Sequence, residues 1–345
     1  MKRIFQSIGA VSLLVTIAVA TQALRQQVSN PQTGDTQTKY RITGPYTHNN
    51  LTIFLIHGPD KIRGLNMLTL PEALEQHKVI VHETGDVNQL AIENVSDSEV
   101  FVQAGDIVKG GKQDRCMGVD LIVPPRSGRM PVAAFCVENG RWQRRGTEGS
   151  ASFAASPNML ASKDIKLAAK SKQSQGDVWN TVAQSQTKLS NAAGAEVRAE
   201  TSATSMELSL ENKTVQVKTE DYIKALDSIT KSDNDILGYV FAINGNINSA
   251  DIYPTNALFK KLWPRLLKAS ATEAFSESSD QTKPHGVTTD MVERFLADAD
   301  KGTESEKEVT KRVRMVTRES SQNVLFETTD GSRKNQWVHR NYIAK

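Results

Sequence analysis

The stretch from Ile236 to Tyr253 constrains the fold most. Two strand-like runs, Ile236–Ile243 and Asn246–Tyr253, are joined by Asn244-Gly245. Both turn residues tolerate positive φ, so Asn-Gly at this place marks a two-residue β-hairpin. A helix is expected from Thr255, since Leu258, Leu262 and Leu266, with Phe259, Trp263, Leu267, Ala271 and Ala274, make a broad apolar stripe. Pro264 falls inside it and should kink or restart it. Thr289–Asp298 reads as a shorter helix, and Arg312–Arg318, Val324–Thr328 and Trp337–Ile343 as closing strands. Asp330-Gly331 supplies a turn between the last two.

Upstream, residues 40–145 read as mostly β. Leu51–Gly58, Val79–His82, Gln89–Glu93 and Glu99–Gln103 are strand-like, and Asn94–Ser98 has hairpin-turn composition. Leu70–Gln76 is a short helix with Pro71 in its first turn, where a missing N–H costs little. Residues 146–216 are rich in Ala, Ser, Thr, Lys and Gln and suggest a partly helical insertion or linker. Trp179, Val182 and Leu189 offer a sparse stripe there, and Gly194 a stop. The fold class that follows is α+β. A β-rich N-terminal domain carries a glycine–lysine loop. A C-terminal part, 217–345, packs on it with its hairpin, long kinked helix and terminal strands.

Residues 1–23 have the layout of a secretory signal: Lys2 and Arg3, an apolar run from Ile8 to Ala20, and small residues at Ala18, Ala20 and Ala23. Residues 24–39 read as a flexible polar lead. The expected location is periplasmic or secreted, with a membrane contact only through an uncleaved signal. Without Lys2 and Arg3 the charge of +3 falls to +1, which excludes a globally basic nucleic-acid binder. Protein partners are unknown from the sequence, and no nucleic acid is expected.

Two cysteines remain, Cys116 and Cys136. A hairpin turning about residue 126 in the PPRSGR segment sets them opposite each other, within disulfide reach. The arrangement needs that register, because a one-residue slip moves side chains to the other face. Two free thiols are the alternative.

The unusual chemistry lies in Gln103–Arg115, QAGDIVKGGKQDR. Successive glycines let backbone N–H groups converge on an anion. Lys109, Gly110, Gly111, Lys112 and Arg115, with Arg126 beyond them, are the candidate ligand-binding residues. The alternative is a tight turn or bulge with solvated charges. A P-loop is excluded: position 111 is Gly where Lys is required, and no Ser or Thr follows Lys112. Asp106 and Asp114 are the acid/base candidates, and Asp251 after the hairpin is a third carboxylate to watch. Among six histidines, His48, His57, His77, His82, His285 and His339, none has a tight ligand spacing, so no metal site is assigned and the cofactor is unknown.

Taken together, GPYTHNNLTIFLIHG, QAGDIVKGGKQDR, VPPRSG, FCVENGRW and ADIYPTNALFKKLWPRLLKA resemble the bacterial domain family associated with ADP-ribosylglycohydrolases and rhodanese-phosphatases, over residues 40–345. The resemblance implies a neighbourhood of nucleotide- or phosphate-bearing ligands and carries over no catalytic residue. The leading expectation is a binding or accessory module for an anionic, phosphate-, nucleotide- or ADP-ribose-like ligand. The alternatives are a structural or partner-binding envelope protein and a hydrolase of phosphate- or ribose-containing compounds.

Overall fold

The Asn-Gly hairpin organises the largest layer of the protein. The computed structural model describes residues 40–149, 151–160, 162–278 and 286–345. The expected signal, the polar lead and His285 lie outside the described residues. In chain order the strands and helices are β1 (Arg41–His48), β2 (Leu51–His57), β3 (Leu68–Thr69), α1 (Leu70–Glu75), β4 (Val79–Asp86) and β5 (Gln89–Asn94). Then come β6 (Val100–Val102), β7 (Asp106–Gly110), β8 (Arg115–Met117), β9 (Leu121–Val123), β10 (Gly128–Cys136) and β11 (Phe153–Met159). Four helices follow: α2 (Lys163–Leu167), α3 (Gln175–Ala193), α4 (Met206–Leu210) and α5 (Lys213–Leu226). The C-terminal part holds β12 (Ile236–Ile243), β13 (Asn246–Ile252), α6 (Asn256–Ser276), α7 (Thr289–Asp300), β14 (Thr303–Glu308), β15 (Val313–Glu319), β16 (Asn323–Asp330) and β17 (Gln336–Ala344).

The large sheet is antiparallel, in the order β1-β2-β12-β13-β17-β16-β15-β14. Ile243 pairs with Asn246 across the turn, and Asn244 and Gly245 both take positive φ. Strand β12 is buried along its whole length, as its near-continuous apolar run requires. Gly238 interrupts that run for a steric reason: a Cβ there would lie 2.2 Å from the Asp251 carbonyl oxygen. Because β2 pairs with β12, strands from both ends of the chain share one sheet, and residues 40–345 form one compact unit.

Helices cover both faces of this sheet. On one face α7 packs Val292, Phe295 and Leu296 against Phe54, Val240 and Tyr342. On the other, α6 brings Leu258, Leu262, Trp263 and Leu266 to Tyr239 and Phe241, with α3 and α5 joining the same core. Thr255 caps α6 by accepting from the Leu258 N–H, and the helix runs on through Pro264 to Ser276. Among the described residues no helix is long and apolar enough to cross a membrane.

The β-rich N-terminal part forms two further sheets, β11-β7-β8-β10-β5-β4 and β3-β6-β9. Two expectations change here. Strands β5 and β6 flank the 94–98 turn but go to different sheets, so they are not a hairpin. The chain from Cys116 to Val123 is not one strand either: it bends at 118–120 and sends β9 to β6. Strand β8 does pair with β10, but one residue off the expected register, with Cys116 opposite Phe135 and Cys136 opposite Arg115. Opposite partners share a face, so the cysteines point to opposite faces and stay free, buried thiols. Burial pushes the Cys116 thiol up to about 12 and Cys136 up to about 11.

The 146–216 segment is more structured than its composition suggests. Strand β11 adds to β7, and Ile165, Val178, Val182, Leu189, Met206 and Leu210 enter the main core. Gly194 ends α3 in the left-handed conformation, as its sequence position foretells.

Candidate functional site

The glycine–lysine segment sends its successive backbone N–H groups to separate acceptors of the protein itself. The Gly110 N–H donates to Asp114 Oδ1 (3.0 Å) and the Lys112 N–H to Glu83 Oε2 (3.1 Å). The Gly111 N–H donates to the Gly149 carbonyl (2.9 Å). Gly111 has positive φ, and a Cβ there would meet the Phe153 ring at 2.3 Å. The Lys109 ammonium sits on Glu211 at 2.6 and 2.7 Å. Arg115 is wholly buried, donating to the Val87 carbonyl (2.7 Å) and Cys136 Sγ (2.6 Å). Lys112 lies over the exposed Trp142 ring, 4.9 Å from its centre. Arg126 stands apart from the group, paired with Asp97 in solvent.

Both acid/base candidates are buried in ion pairs. Asp106 accepts from Arg265 (2.6 Å) and from the Gln103 N–H (2.9 Å). Asp114 takes Arg145 through both oxygens (2.9 and 3.1 Å) and the Ser205 hydroxyl (2.9 Å). Behind them, Glu207 on α4 accepts from Ser156 (2.7 Å) and Asn158 (3.0 Å) on one oxygen. Burial pushes its carboxyl up to about 7. The polar atoms left unpartnered around this segment are Gln113 Oε1, Glu148 Oε2, Glu207 Oε2, Arg115 Nε and Arg265 Nε.

A second charged centre lies between the large sheet and its helices. Cross-strand pairing puts Tyr239 and Phe241 of β12, Ser249 and Asp251 of β13, and Asn341 and Ile343 of β17 on one face. His339, two residues before Asn341, shares it opposite Thr328 of β16. This face is polar at its middle and is nevertheless covered. His339 Nδ1 meets Asp120 Oδ2 at 2.8 Å, and Nε2 meets Asp251 Oδ1 at 3.0 Å. Asp120 comes from the bend before β9 and also accepts from Thr328 (2.7 Å) and the Ala104 N–H (2.8 Å). The imidazole stacks on Tyr253, centres 4.8 Å apart. Burial works against a charged ring, but the two aspartates outweigh it and raise the His339 pKa. Held by carboxylates on both nitrogens, His339 bridges two aspartates, and neither nitrogen is free to serve as a base.

Lys166 and Lys170 enter from above. Lys170 lies on a π-turn, Ala168–Lys172, a local distortion often found at functional sites. Its ammonium donates to Asn341 Oδ1 (3.1 Å) and lies 4.9 Å from the Phe326 ring centre. Lys166 acts electrostatically on Asp251 and Glu273, and Lys170 on Asp120 and Asp251. Neither lysine forms an ion pair among the described residues. Burial lowers the Lys170 pKa, against the pull of Asp120 and Asp251. Glu273 of α6 completes the centre. Its Oε1 accepts from the Lys163 N–H (2.9 Å) and Asn248 (3.0 Å), and burial raises its pKa. Asp251 Oδ1 is likewise full, taking His339 and Asn341 Nδ2 (2.9 Å). The other oxygens, Asp251 Oδ2 and Glu273 Oε2, are buried and have no hydrogen-bond partner. The nearby Tyr239 hydroxyl is bonded to Ser270 (3.1 Å).

A family model described as the ARG and Rhodanese-Phosphatase-superfamily-associated Protein domain (ARPP-1) matches residues 39–343. The chain belongs to this family. Comparison with curated proteins and with solved structures gives no significant match. In this ARPP-1 domain, the site that sequence reasoning missed is the His339 centre. Asp251 was singled out as a carboxylate, but Asp120, Lys166, Lys170, Glu273 and His339 come from separate segments. The one legible signal was alternation in β13, with Ser249 and Asp251 on one face and Ala250 and Ile252 on the other. That pattern reads as a solvent-facing strand unless a second layer is known to cover it. One further group, His57, Asp233 and Asp235, brings ligand atoms within 4.8 Å of one another. Arg41 already sits 2.8 Å from both His57 and Asp235 there.

Proposed function

We propose that this ARPP-1 chain is an exported binding or accessory module for a small anionic ligand. The ligand is taken at Lys166 and Lys170, over the Asp251–His339 pair, and not at the glycine–lysine segment. The observation that carries this reading is the pair of buried lysines with carboxylates nearby but no ion pair. A buried ammonium with no carboxylate against it is costly even where, as for Lys170, an amide oxygen accepts from it, and such centres are candidates for function. The glycine–lysine segment supports the contrast, because Lys109, Arg115, Asp106 and Asp114 are already matched to internal partners. The phosphatase association in the family's description agrees with an anionic, phosphate-bearing ligand.

The test is a thermal-shift panel on the purified full chain with inorganic phosphate, ribose 5-phosphate and ADP-ribose. A ligand at ~100 times its dissociation constant stabilises by ~2.7 kcal/mol, a shift of a few degrees for a chain of this size. The shift should vanish in the double variant Lys166→Met, Lys170→Met and persist in Lys109→Met. A flat panel from folded protein, or a shift lost in Lys109→Met alone, sinks the reading.

A further inference from the structure

The corner where β1, β2 and β12 meet brings three metal-ligating side chains together. Arg41 opens β1, His57 ends β2 and Ile236 opens β12, and cross-strand pairing sets these three in one row. The chain entering β12 is tied down there, because the Gly58 N–H donates to the Asp235 carbonyl (2.8 Å). Asp233 and Asp235, in the run Asp-Asn-Asp, thus lie beside the His57 ring. One ligand atom from each of His57, Asp233 and Asp235 lies within 4.8 Å of the other two. The His57 side chain is wholly buried, whereas those of Asp235 and Arg41 are 48% and 57% exposed. An ion therefore reaches the group from solvent, and no internal cavity is needed.

The contacts of His57 are in conflict. Nε2 meets Thr43 Oγ1 at 2.8 Å. Nδ1 meets two groups at once, Asp235 Oδ1 (2.8 Å) and Arg41 Nη2 (2.8 Å). A ring nitrogen offers one N–H or one lone pair, never both. With a proton on Nδ1, Asp235 is served and an Arg41 N–H faces another donor. Without that proton, Arg41 is served and a carboxylate oxygen faces a lone pair. A metal cation in place of the guanidinium removes the conflict, since Nδ1 and Asp235 Oδ1 then both direct lone pairs at it. Nε2 keeps its proton and donates to Thr43, the kind of outer contact that orients a ligating imidazole. Arg41 Nη2 also donates to Asp235 Oδ2 (2.8 Å), so a positive group already bridges imidazole and carboxylate at this place. The third member, Asp233, is partly buried and makes no hydrogen bond or ion pair among the described residues.

We infer that His57, Asp233 and Asp235 bind one divalent metal ion of the Zn2+ type, which displaces the Arg41 guanidinium. An imidazole among the donors favours such an ion over Mg2+ and Ca2+, which take oxygen ligands. Three protein ligands leave a tetrahedral ion one position for water. The inference is independent of the anion-binding reading above.

The test is calorimetry with ZnCl2 on the purified full chain after dialysis against EDTA, with MgCl2 and CaCl2 for comparison. One Zn2+ per chain should bind, at least about tenfold tighter than either of the other ions. Asp233→Asn removes a ligand that holds no other group, so the fold should stand while Zn2+ affinity falls about tenfold or more. Arg41→Met removes the competing cation and should tighten Zn2+ binding by about tenfold, which a purely structural arginine would not do. Equal Zn2+ affinity in wild type and Asp233→Asn places the ion on other histidines and overturns the inference. Unchanged or weaker binding in folded Arg41→Met overturns the displacement of the guanidinium and the site with it. No Zn2+ binding to folded wild type does the same. If Arg41→Met does not fold, the comparison of wild type with Asp233→Asn decides alone.

Discussion

The glycine–lysine segment and the His339 centre both concentrate charge inside the protein, and they differ in what their cations touch. In the segment, Lys109 is bound by Glu211, Arg145 by Asp114, and Arg115 by a carbonyl and a thiol. In the centre, Lys166 and Lys170 stand near carboxylates without pairing to them, and two carboxylate oxygens lack donors. Density of charge thus marks both places, and each leaves carboxylate oxygens without donors, Glu148 and Glu207 in the first and Asp251 and Glu273 in the second; the difference is that Lys166 and Lys170 are buried with no carboxylate partner among the described residues. A conspicuous cationic loop can be structural scaffolding, clamping β7, β8 and the 139–149 loop together.

This contrast breaks most clearly at Asp114. Replacing it with Ala should cost about 3–5 kcal/mol, because Arg145 is left buried without its main partner. Urea unfolding would measure it, and a loss under about 1 kcal/mol would show that the segment is not the scaffold described. The next largest effect concerns pH. Glu207 rises from its ordinary 4.5 to about 7 in the fold, so the folded state holds its proton more tightly. Its contribution is complete below pH 4.5 and is lost as pH rises through about 7. Glu207→Gln should match wild type near pH 4 and exceed it by up to about 3 kcal/mol at pH 8. Parallel pH profiles of melting temperature for the two proteins would reject the assignment. Lys170→Met, by contrast, should change stability by no more than about 1 kcal/mol, since it keeps an apolar stem and removes a buried ammonium whose hydrogen bond goes to the neutral amide of Asn341. The same variant should lose the ligand-induced thermal shift. The smallest effect belongs to Arg126→Ala, which removes an exposed pair with Asp97 and should alter neither melting temperature nor ligand response.

Much of the fold was legible. The Asn244-Gly245 hairpin, the Thr255 cap and stripe of α6, and the Gly194 stop are set by residues within a few positions of each other. The Cys116–Cys136 pairing failed because register depends on partners elsewhere: Gly118 to Asp120 bend away so that β9 joins β6, and the hairpin closes one residue short. Strand β14 escaped notice for a related reason. Its TESEKE sequence is exposed along its whole length, so no apolar alternation marks it. The site was the least legible part, since Asp120, Lys166, Asp251, Glu273 and His339 have no common motif or spacing.

The sequence alone determined which residues share a face. On a strand the side chains alternate by covalent geometry, so Ser249 with Asp251 and His339 with Asn341 were bound to point together. Whether that polar face met water or a helix was decided only in three dimensions. Helix α6 and the π-turn close over it, bringing Glu273, Lys166 and Lys170 to carboxylates remote in the chain. Short-range geometry sets direction, but burial depends on which distant surfaces are left to cover one another.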